Sequence, residues 1–158
     1  IKITSKHHGN LLRSDCLDHL KNSKTKYDII IAFDIVEHFD KNQFFMFINL
    51  CYRNLNKNGR LFLQTPNMYS IFWSSILYGD FTHKIGFTPD LLKKLLKNTG
   101  FINFVLKETG PKCYSFFGTI RLILWKIIKY IIYFIQLIET GSCDKKILTR
   151  VFLTICQK

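Results

Sequence analysis

The chain has 158 residues, of which 47% are hydrophobic and 22% are charged. This length and composition fit one domain with a hydrophobic core, and they exclude two ordinary domains, a disordered chain and a linker. The net charge of +12 is compatible with a nucleic acid or an anionic membrane surface as partner, but the lysines are scattered, so the charge names neither. The five cysteines are odd in number, widely spaced and without a Cys-x-x-Cys pair, so they indicate neither a disulfide framework nor a zinc knuckle, and a reducing, cytoplasmic compartment fits best.

The first clear element is a strand at residues 27–33, which ends at Asp34. Its near-continuous apolar, β-branched run is typical of a strand buried on both faces of a parallel sheet. Apolar residues at helical spacing then predict a helix at 42–54, ended by a turn at 57–59, and a second strand follows at 60–65. Strand, helix and strand together predict a βαβ unit.

A second helix and two further strands follow. Thr88 is the predicted N-cap of the helix, Pro89 its first residue and Gly100 its end. The next strand is expected at 101–107, and a final strand at 147–156. The order of elements alternates β and α, which is typical of an α/β fold.

The densely apolar segment at 115–140 predicts a long amphipathic helix. Its longest uncharged run falls short of the ~20 residues that a membrane-spanning helix needs. Lys126, Lys129, Tyr133 and Gln136 share one narrow stripe, which leaves a wide apolar face. That face fits a helix lying on a membrane, a helix against a partner, or a helix covering the sheet of its own domain.

Polar side chains follow the predicted strands, where open parallel sheets bind their ligands. Asp34, Glu37 and His38 come directly after the first strand, and the sequence Thr-Pro-Asn ends the second. A loop with Asp80 and His83 comes before the second long helix. These residues are the candidates for chemistry.

The motifs FDIVEHF, LNKNGRLFLQTPN, DFTH and FTPDLLKKLLKNTGF occur here in this order. Together they resemble the later half of a class I S-adenosylmethionine-dependent methyltransferase of the type 11/23 kind, over residues 11–107. The resemblance implies a Rossmann-like α/β sheet whose fourth, fifth and sixth strands are those at 27–33, 60–65 and 101–107. It also implies S-adenosylmethionine as the methyl donor.

The resemblance places part of a cofactor site in this chain. Asp15 and Cys16 occupy the position where an acidic side chain and the next backbone N–H meet the adenine, and Asp34 is assigned to the same site. Asp15 as an exposed loop residue or helix cap is the alternative. No Gly-x-Gly occurs in the sequence, so we expect one partial domain at 1–158, lacking the first strands and the glycine-rich turn at its N-terminal side. Cofactor binding by this chain alone stays open.

The run Asp34, Glu37 and His38 resembles the segment that holds a divalent cation in two branches of the family, the ubiquinone-type O-methyltransferases and the small-RNA terminal 2′-O-methyltransferases. The second branch adds a downstream histidine, and His83 sits in the comparable place. Carboxylates with one or two imidazoles suit Mg²⁺ or Mn²⁺. Those branches carry Glu where this chain has Asp34. In the alternative without a metal, Glu37 pairs locally and His38 is a general base or packs beside the cofactor.

His83 has a second interpretation, as an acid/base group whose ring Asp80 orients. With His38 these two residues are the predicted catalytic set, and the alternative is that His83 is a surface residue of a loop.

Three functions are compatible with these residues. The first is O-methylation of a small-molecule, glycan or lipid-linked hydroxyl acceptor, in the cytoplasm or at the inner face of the membrane with peripheral contact through 115–140. The second is metal-dependent RNA 2′-O-methylation, which would make nucleic acid a partner. The third is a non-catalytic fragment or binding module.

Overall fold

The computed structural model describes residues 14–144 and 146–158, so the first residues of the predicted domain lie outside the described part of the chain. The helices and strands are α1 (Cys16–Asn22), β1 (Tyr27–Phe33), α2 (Lys41–Asn54), β2 (Leu55–Pro66), α3 (Trp73–Leu77), α4 (Pro89–Thr99), β3 (Ile102–Glu108), α5 (Phe116–Thr140) and β4 (Val151–Gln157). A single 3₁₀ turn, Val36–His38, lies between β1 and α2.

The four strands form one mixed sheet in the order β1-β2-β4-β3. β1 and β2 are parallel, and β4 lies between β2 and β3, antiparallel to both. β1, β2 and β3 therefore run in the same direction, and their carboxyl ends share one edge of the sheet. The predicted Rossmann-like α/β class is confirmed.

The first βαβ unit has the predicted order but a longer second strand. β1 has the predicted bounds, and α2 begins at Lys41 because Asp40 and Gln43 form a capping box there. β2 begins at Leu55, and the predicted turn at 57–59 is wrong. Those residues belong to the strand, which is irregular there: Asn58 has φ 65° and the pairing with β1 shifts register.

The second helix follows its sequence signals closely. Thr88 Oγ1 accepts the backbone N–H of Leu91, Pro89 is the first helical residue, and Gly100 ends α4 with φ 109°.

β4 begins at Val151, four residues later than predicted. The buried Asn67 side chain donates Nδ2–H to the carbonyls of Ile147 (2.7 Å) and Thr149 (2.8 Å). These bonds hold the residues before β4 at the end of β2, outside the strand pairing of the sheet.

The hydrophobic core lies on one face of the sheet. Phe44 and Ile48 of α2 and Leu92 and Leu96 of α4 belong to one buried cluster with alternate residues of β2 and β4. The prediction that β1 is buried on both faces is wrong. Ile29, Ile31 and Phe33 are 47 to 60% exposed, because the helices of this cluster pack against the other side of the strand.

The long helix α5 does not bury its apolar face. Residues such as Ile127, Ile131 and Phe134 are half exposed or more, so covering the sheet of its own domain is not the role of this face. Within the described residues no helix combines the length and apolarity that crossing a membrane requires.

Candidate functional site at the carboxyl edge of the sheet

A sharp turn follows β1 and starts the site. Asp34 adopts the left-handed conformation with φ 52°, which a short polar residue tolerates better than most. Its N–H donates to the carbonyl of Gln64 at 3.0 Å, and Gln64 Nε2 donates to its Oδ2 at 3.1 Å. These bonds hold the turn against the end of β2 and direct the chain into the 3₁₀ turn.

Glu37 is a buried carboxyl group within that 3₁₀ turn, with 1% of its surface exposed. Thr65, at the end of β2, donates its hydroxyl to Glu37 Oε2 at 3.1 Å. Burial raises the pKa of Glu37, while its own backbone N–H and the Thr65 hydroxyl oppose the shift. The structure therefore favours a proton on this group more than water does.

The backbone of Glu37 also anchors the loop that carries Asp80 and His83. Its carbonyl accepts the N–H groups of Lys84 (2.8 Å) and Ile85 (3.2 Å). These two bonds bring a loop more than forty residues away in sequence against the end of β1.

His38, Thr82 and Asp80 form a chain of hydrogen bonds across this contact. Thr82 Oγ1 lies 2.6 Å from Asp80 Oδ1 and 2.9 Å from His38 Nδ1, and the Thr82 N–H donates to Asp80 Oδ1 at 2.9 Å. The pKa of Asp80 is lowered, chiefly by the Thr82 hydroxyl and next by the Thr82 N–H, with a smaller contribution from the nearby His83.

The ring of His83 is held by a backbone carbonyl. His83 Nδ1 lies 3.0 Å from the carbonyl oxygen of Ile76, and its Nε2 lies 3.9 Å from Asp80 Oδ2. The centroids of the two histidine rings, His38 and His83, are 4.8 Å apart. Asp80 was predicted to orient His83, but its hydrogen bonds go to Thr82 and through it to His38.

Three of the four predicted metal ligands come together. Glu37, His38 and His83 each offer a ligand atom, and these atoms lie within 4.8 Å of one another. Asp34 is not in this cluster of described residues, since its carboxylate is turned to Gln64. One carboxylate and two imidazoles, with each ring Nδ1 already hydrogen-bonded, is a donor set that fits a transition ion such as Mn²⁺ better than Mg²⁺.

The residues predicted to meet the cofactor's adenine lie at the start of α1. Asp15 is the N-cap of this helix, and its Oδ1 accepts the N–H groups of Leu17 (2.8 Å) and Asp18 (3.2 Å). Cys16 is half-buried against the core, and burial, followed by the charge of Asp15, raises the pKa of its thiol. The capping role is thus present, and the adenine contact stays a prediction.

Sequence reasoning assigned no role to two hydroxyl groups that shape the site. Thr65 binds Glu37, and Thr82 links His38 to Asp80. Thr65 carried a signal, as the last strand residue before Pro66. Thr82 had only its place between Asp80 and His83, which does not reveal a partner 44 residues away.

No protein-family model matches the chain, and no curated protein matches its sequence. Solved structures do. A methyltransferase from Archaeoglobus fulgidus, described as S-adenosylmethionine-dependent, is 22% identical with a TM-score of 0.67, over 96% of this chain and 68% of that one. A second from Thermotoga maritima is 14% identical with a TM-score of 0.58, over 88% and 60% of the two chains. An O-methyltransferase family protein from Burkholderia thailandensis is 13% identical with a TM-score of 0.55, over 93% and 35%.

The chain therefore has the fold of the class I methyltransferases, as the resemblance of its motifs implied. It spans between about a third and two thirds of these three solved chains. Identities of this size show a shared fold and leave the reaction to be argued from the site.

Proposed function

We propose that this chain is the acceptor-facing part of an S-adenosylmethionine-dependent O-methyltransferase, with His38 as its general base. The observation that carries the proposal is the hydrogen-bonded chain from His38 through Thr82 to Asp80. It supports the assignment because it leaves one nitrogen of His38 free for a substrate proton.

The hydroxyl of Thr82 has a single proton, and the direction of that proton decides the tautomer of His38. The depressed pKa of Asp80 keeps its carboxylate ionised near neutral pH, so it can only accept, and the 2.6 Å contact directs the Thr82 proton to it. Thr82 Oγ1 then accepts from His38 Nδ1–H. The lone pair of His38 is consequently on Nε2.

The same accounting applies to His83. A carbonyl oxygen cannot donate, so His83 Nδ1 carries a proton that it donates to Ile76, and Nε2 is again the free atom. The two rings thus have their free nitrogens available at one place on the carboxyl edge of the sheet.

S-adenosylmethionine supplies a methyl group carried on a positively charged sulfur. In the proposed step His38 Nε2 accepts the proton of an acceptor hydroxyl as the oxygen bonds the methyl carbon and the carbon–sulfur bond breaks. The bond's electron pair stays on sulfur, and the products are a methyl ether, S-adenosylhomocysteine and protonated His38. His83 and Asp80 would stabilise the imidazolium that forms.

We infer that the acceptor is a hydroxyl of a glycan or a lipid-linked molecule. Support comes from apolar side chains on the loop beside the histidines: Phe81 is fully exposed and Tyr78 is 77% exposed. The names of the solved neighbours do not decide the acceptor, since the Thermotoga protein's refers to histamine N-methylation and the Burkholderia protein's to O-methylation.

A second candidate is metal-dependent RNA 2′-O-methylation. The cluster of Glu37, His38 and His83 favours it. A cation held there would polarise an acceptor hydroxyl. It predicts that a chelator stops methyl transfer to a short RNA and that added Mn²⁺ restores it; transfer that continues in the chelator rules this candidate out.

Mutation of the two histidines tests the leading proposal in the intact protein. His38→Ala should lower methyl transfer by about 10²- to 10⁴-fold, and His83→Ala should also lower it. Undiminished transfer in both variants would remove the catalytic assignment.

Calorimetric titration with S-adenosylmethionine tests the remaining function, a non-catalytic fragment or binding module. Micromolar binding by residues 1–158 is incompatible with a non-catalytic remnant, and absent binding supports one.

Thr82 offers a matched pair of variants that separates positioning from structure. Thr82→Val keeps the shape but removes the hydroxyl, whereas Thr82→Ser keeps the hydroxyl. We expect the valine variant alone to lose the Nδ1–H preference of His38, read from ¹⁵N chemical shifts, and to shift the pH profile of methyl transfer. The same tautomer in both variants would show that Thr82 does not set it.

A further inference from the structure

Helix α5 is attached to the rest of the chain by its polar side. Lys129 Nζ donates to Glu108 Oε1 at 2.8 Å, and the Tyr133 hydroxyl donates to the Lys146 carbonyl at 2.8 Å. Leu122, Trp125 and Gln136, which share this side of the helix at 100° per residue, are also half-buried. The helix therefore has its polar stripe toward the protein.

The opposite side is apolar and faces solvent. Its residues are between 38 and 76% exposed and include Phe116, Ile120, Ile123, Ile127, Ile131 and Phe134. At 100° per residue the apolar side covers about half of the circumference, along a helix about 37 Å long. A continuous apolar surface of this size on a monomer marks an interaction site.

Cations border this apolar side. Arg121 and Lys126 are exposed and lie at its two margins, and Glu139 is the single acidic residue of α5. Long basic side chains at such margins can keep their charges in a headgroup layer while the apolar residues enter the acyl boundary.

A cleft behind the helix adds to the same pattern. Its volume is about 580 Å³, and Lys112, Arg121 and Arg150 contribute to its lining. These three cations suit an anionic oxygen such as that of a lipid phosphate.

We propose that α5 lies in the plane of an anionic lipid bilayer, with its apolar side in the acyl boundary and its bordering cations on the phosphates. The inference does not rest on the proposed methyl transfer. A second copy of the chain fits this surface less well, because the apolar side is wider than a coiled-coil seam and each copy carries a net charge of +12.

Flotation of the intact protein with vesicles tests the proposal. We expect it to float with vesicles of phosphatidylcholine and phosphatidylglycerol, to float less with phosphatidylcholine alone, and to be released as the salt concentration rises. Protein that stays at the bottom of the gradient with the anionic vesicles would overturn the proposal.

Substitutions on the helix locate the contact. Ile127→Asp with Ile131→Asp should weaken vesicle binding about tenfold or more, and the milder pair Ile127→Ala with Ile131→Ala should weaken it less while favouring the helix. Arg121→Gln with Lys126→Gln should reduce the preference for anionic vesicles. Leu91→Asp is the control variant. Leu91 is 44% exposed on another helix, so this variant should bind the vesicles as the parent protein does.

Sedimentation without lipid tests whether a second copy of the chain covers α5 instead, and we expect the parent protein to be monomeric. The Ile127→Asp, Ile131→Asp double variant should unfold as cooperatively as the parent, which shows that it is folded. Vesicle binding unchanged in that double variant, or a lipid-free dimer that this variant dissociates, would contradict the proposal.

Discussion

Helices α4 and α5 are both amphipathic, but α4 packs on the protein with its apolar side and α5 with its polar side. α4 buries Leu92 and Leu96 completely and turns its lysines to solvent, whereas α5 turns its polar side inward and exposes residues such as Ile127. The apolar side of α4 meets a sheet that is itself apolar. The polar side of α5 is instead held by an ion pair to the edge strand β3 and by a hydrogen bond to the Lys146 carbonyl, beside half-buried residues such as Trp125.

The difference shows that an apolar stripe predicts burial without saying against what. Free energy from apolar burial stabilises the fold only when the partner surface belongs to the same protein. In α4 that energy is part of folding. In α5 it is available for binding, so substitutions in the two helices should affect different measurements.

The largest contrast is expected for truncation of one apolar side chain in each helix. Leu96→Ala should lower the free energy of unfolding by about 3 kcal/mol, because it leaves a cavity among α2, α4 and the sheet. Ile127→Ala should change it by no more than about 0.5 kcal/mol, since the side chain is half exposed. Urea denaturation measures both, and equal losses would show that α5 is part of the cooperative core.

A smaller contrast is expected at the glycines that end the two helices. Gly100 and Gly141 both have positive φ, but a Cβ on Gly100 would lie 3.1 Å from the Tyr52 ring, whereas a Cβ on Gly141 would have no neighbour within 4 Å. Gly100→Ala should therefore lower the free energy of unfolding by about 2 kcal/mol, and Gly141→Ala by about 1 kcal/mol or less.

Thermal unfolding of the two alanine variants measures this difference. An alanine is strained at both positions, and more so at Gly100, where φ is 109°, than at Gly141, where φ is 69°, so the excess for Gly100→Ala combines this extra backbone strain with the contact to Tyr52. If the two variants unfold alike, the ring moves aside and the contact is soft.

Local signals made most of the fold predictable. The β-branched run gave β1 its bounds, and Thr88, Pro89 and Gly100 marked the ends of α4, because caps and propensities act within a few residues. The exposure of Ile31 was not predictable, because it depends on which elements pack on each face of the sheet.

The candidate site was predictable in its residue types but not in its connections. Glu37, His38, Asp80 and His83 were recognisable from their positions after strands and from the family resemblance. The bond from Asp80 to Thr82 is a local turn between residues two apart, but the contact of Thr82 with His38 joins segments more than forty residues apart, and no local pattern sets it.

The smallest effect on the free energy of unfolding is expected when one negative charge is removed, at Glu37 in the candidate site or at Glu139 in α5. Glu37→Gln should raise the free energy of unfolding at neutral pH, by about 1 kcal/mol or less, because glutamine keeps the shape and the acceptor for Thr65 without a buried charge. Glu139→Gln, on the exposed side of α5, is the control and should change nothing.

The pH dependence gives this last prediction its sign. Burial raises the pKa of Glu37 in the folded protein, so its protonated form is favoured there, and that contribution to stability is full below the unfolded-state pKa of about 4.3. It is lost as the pH rises through the folded-state pKa. The advantage of Glu37→Gln should therefore shrink on acidification and vanish below that pH, as urea denaturation at several pH values would show. A variant less stable than the parent at neutral pH would instead indicate that the fold needs the carboxylate charge, as a cation shared with His38 and His83 would require.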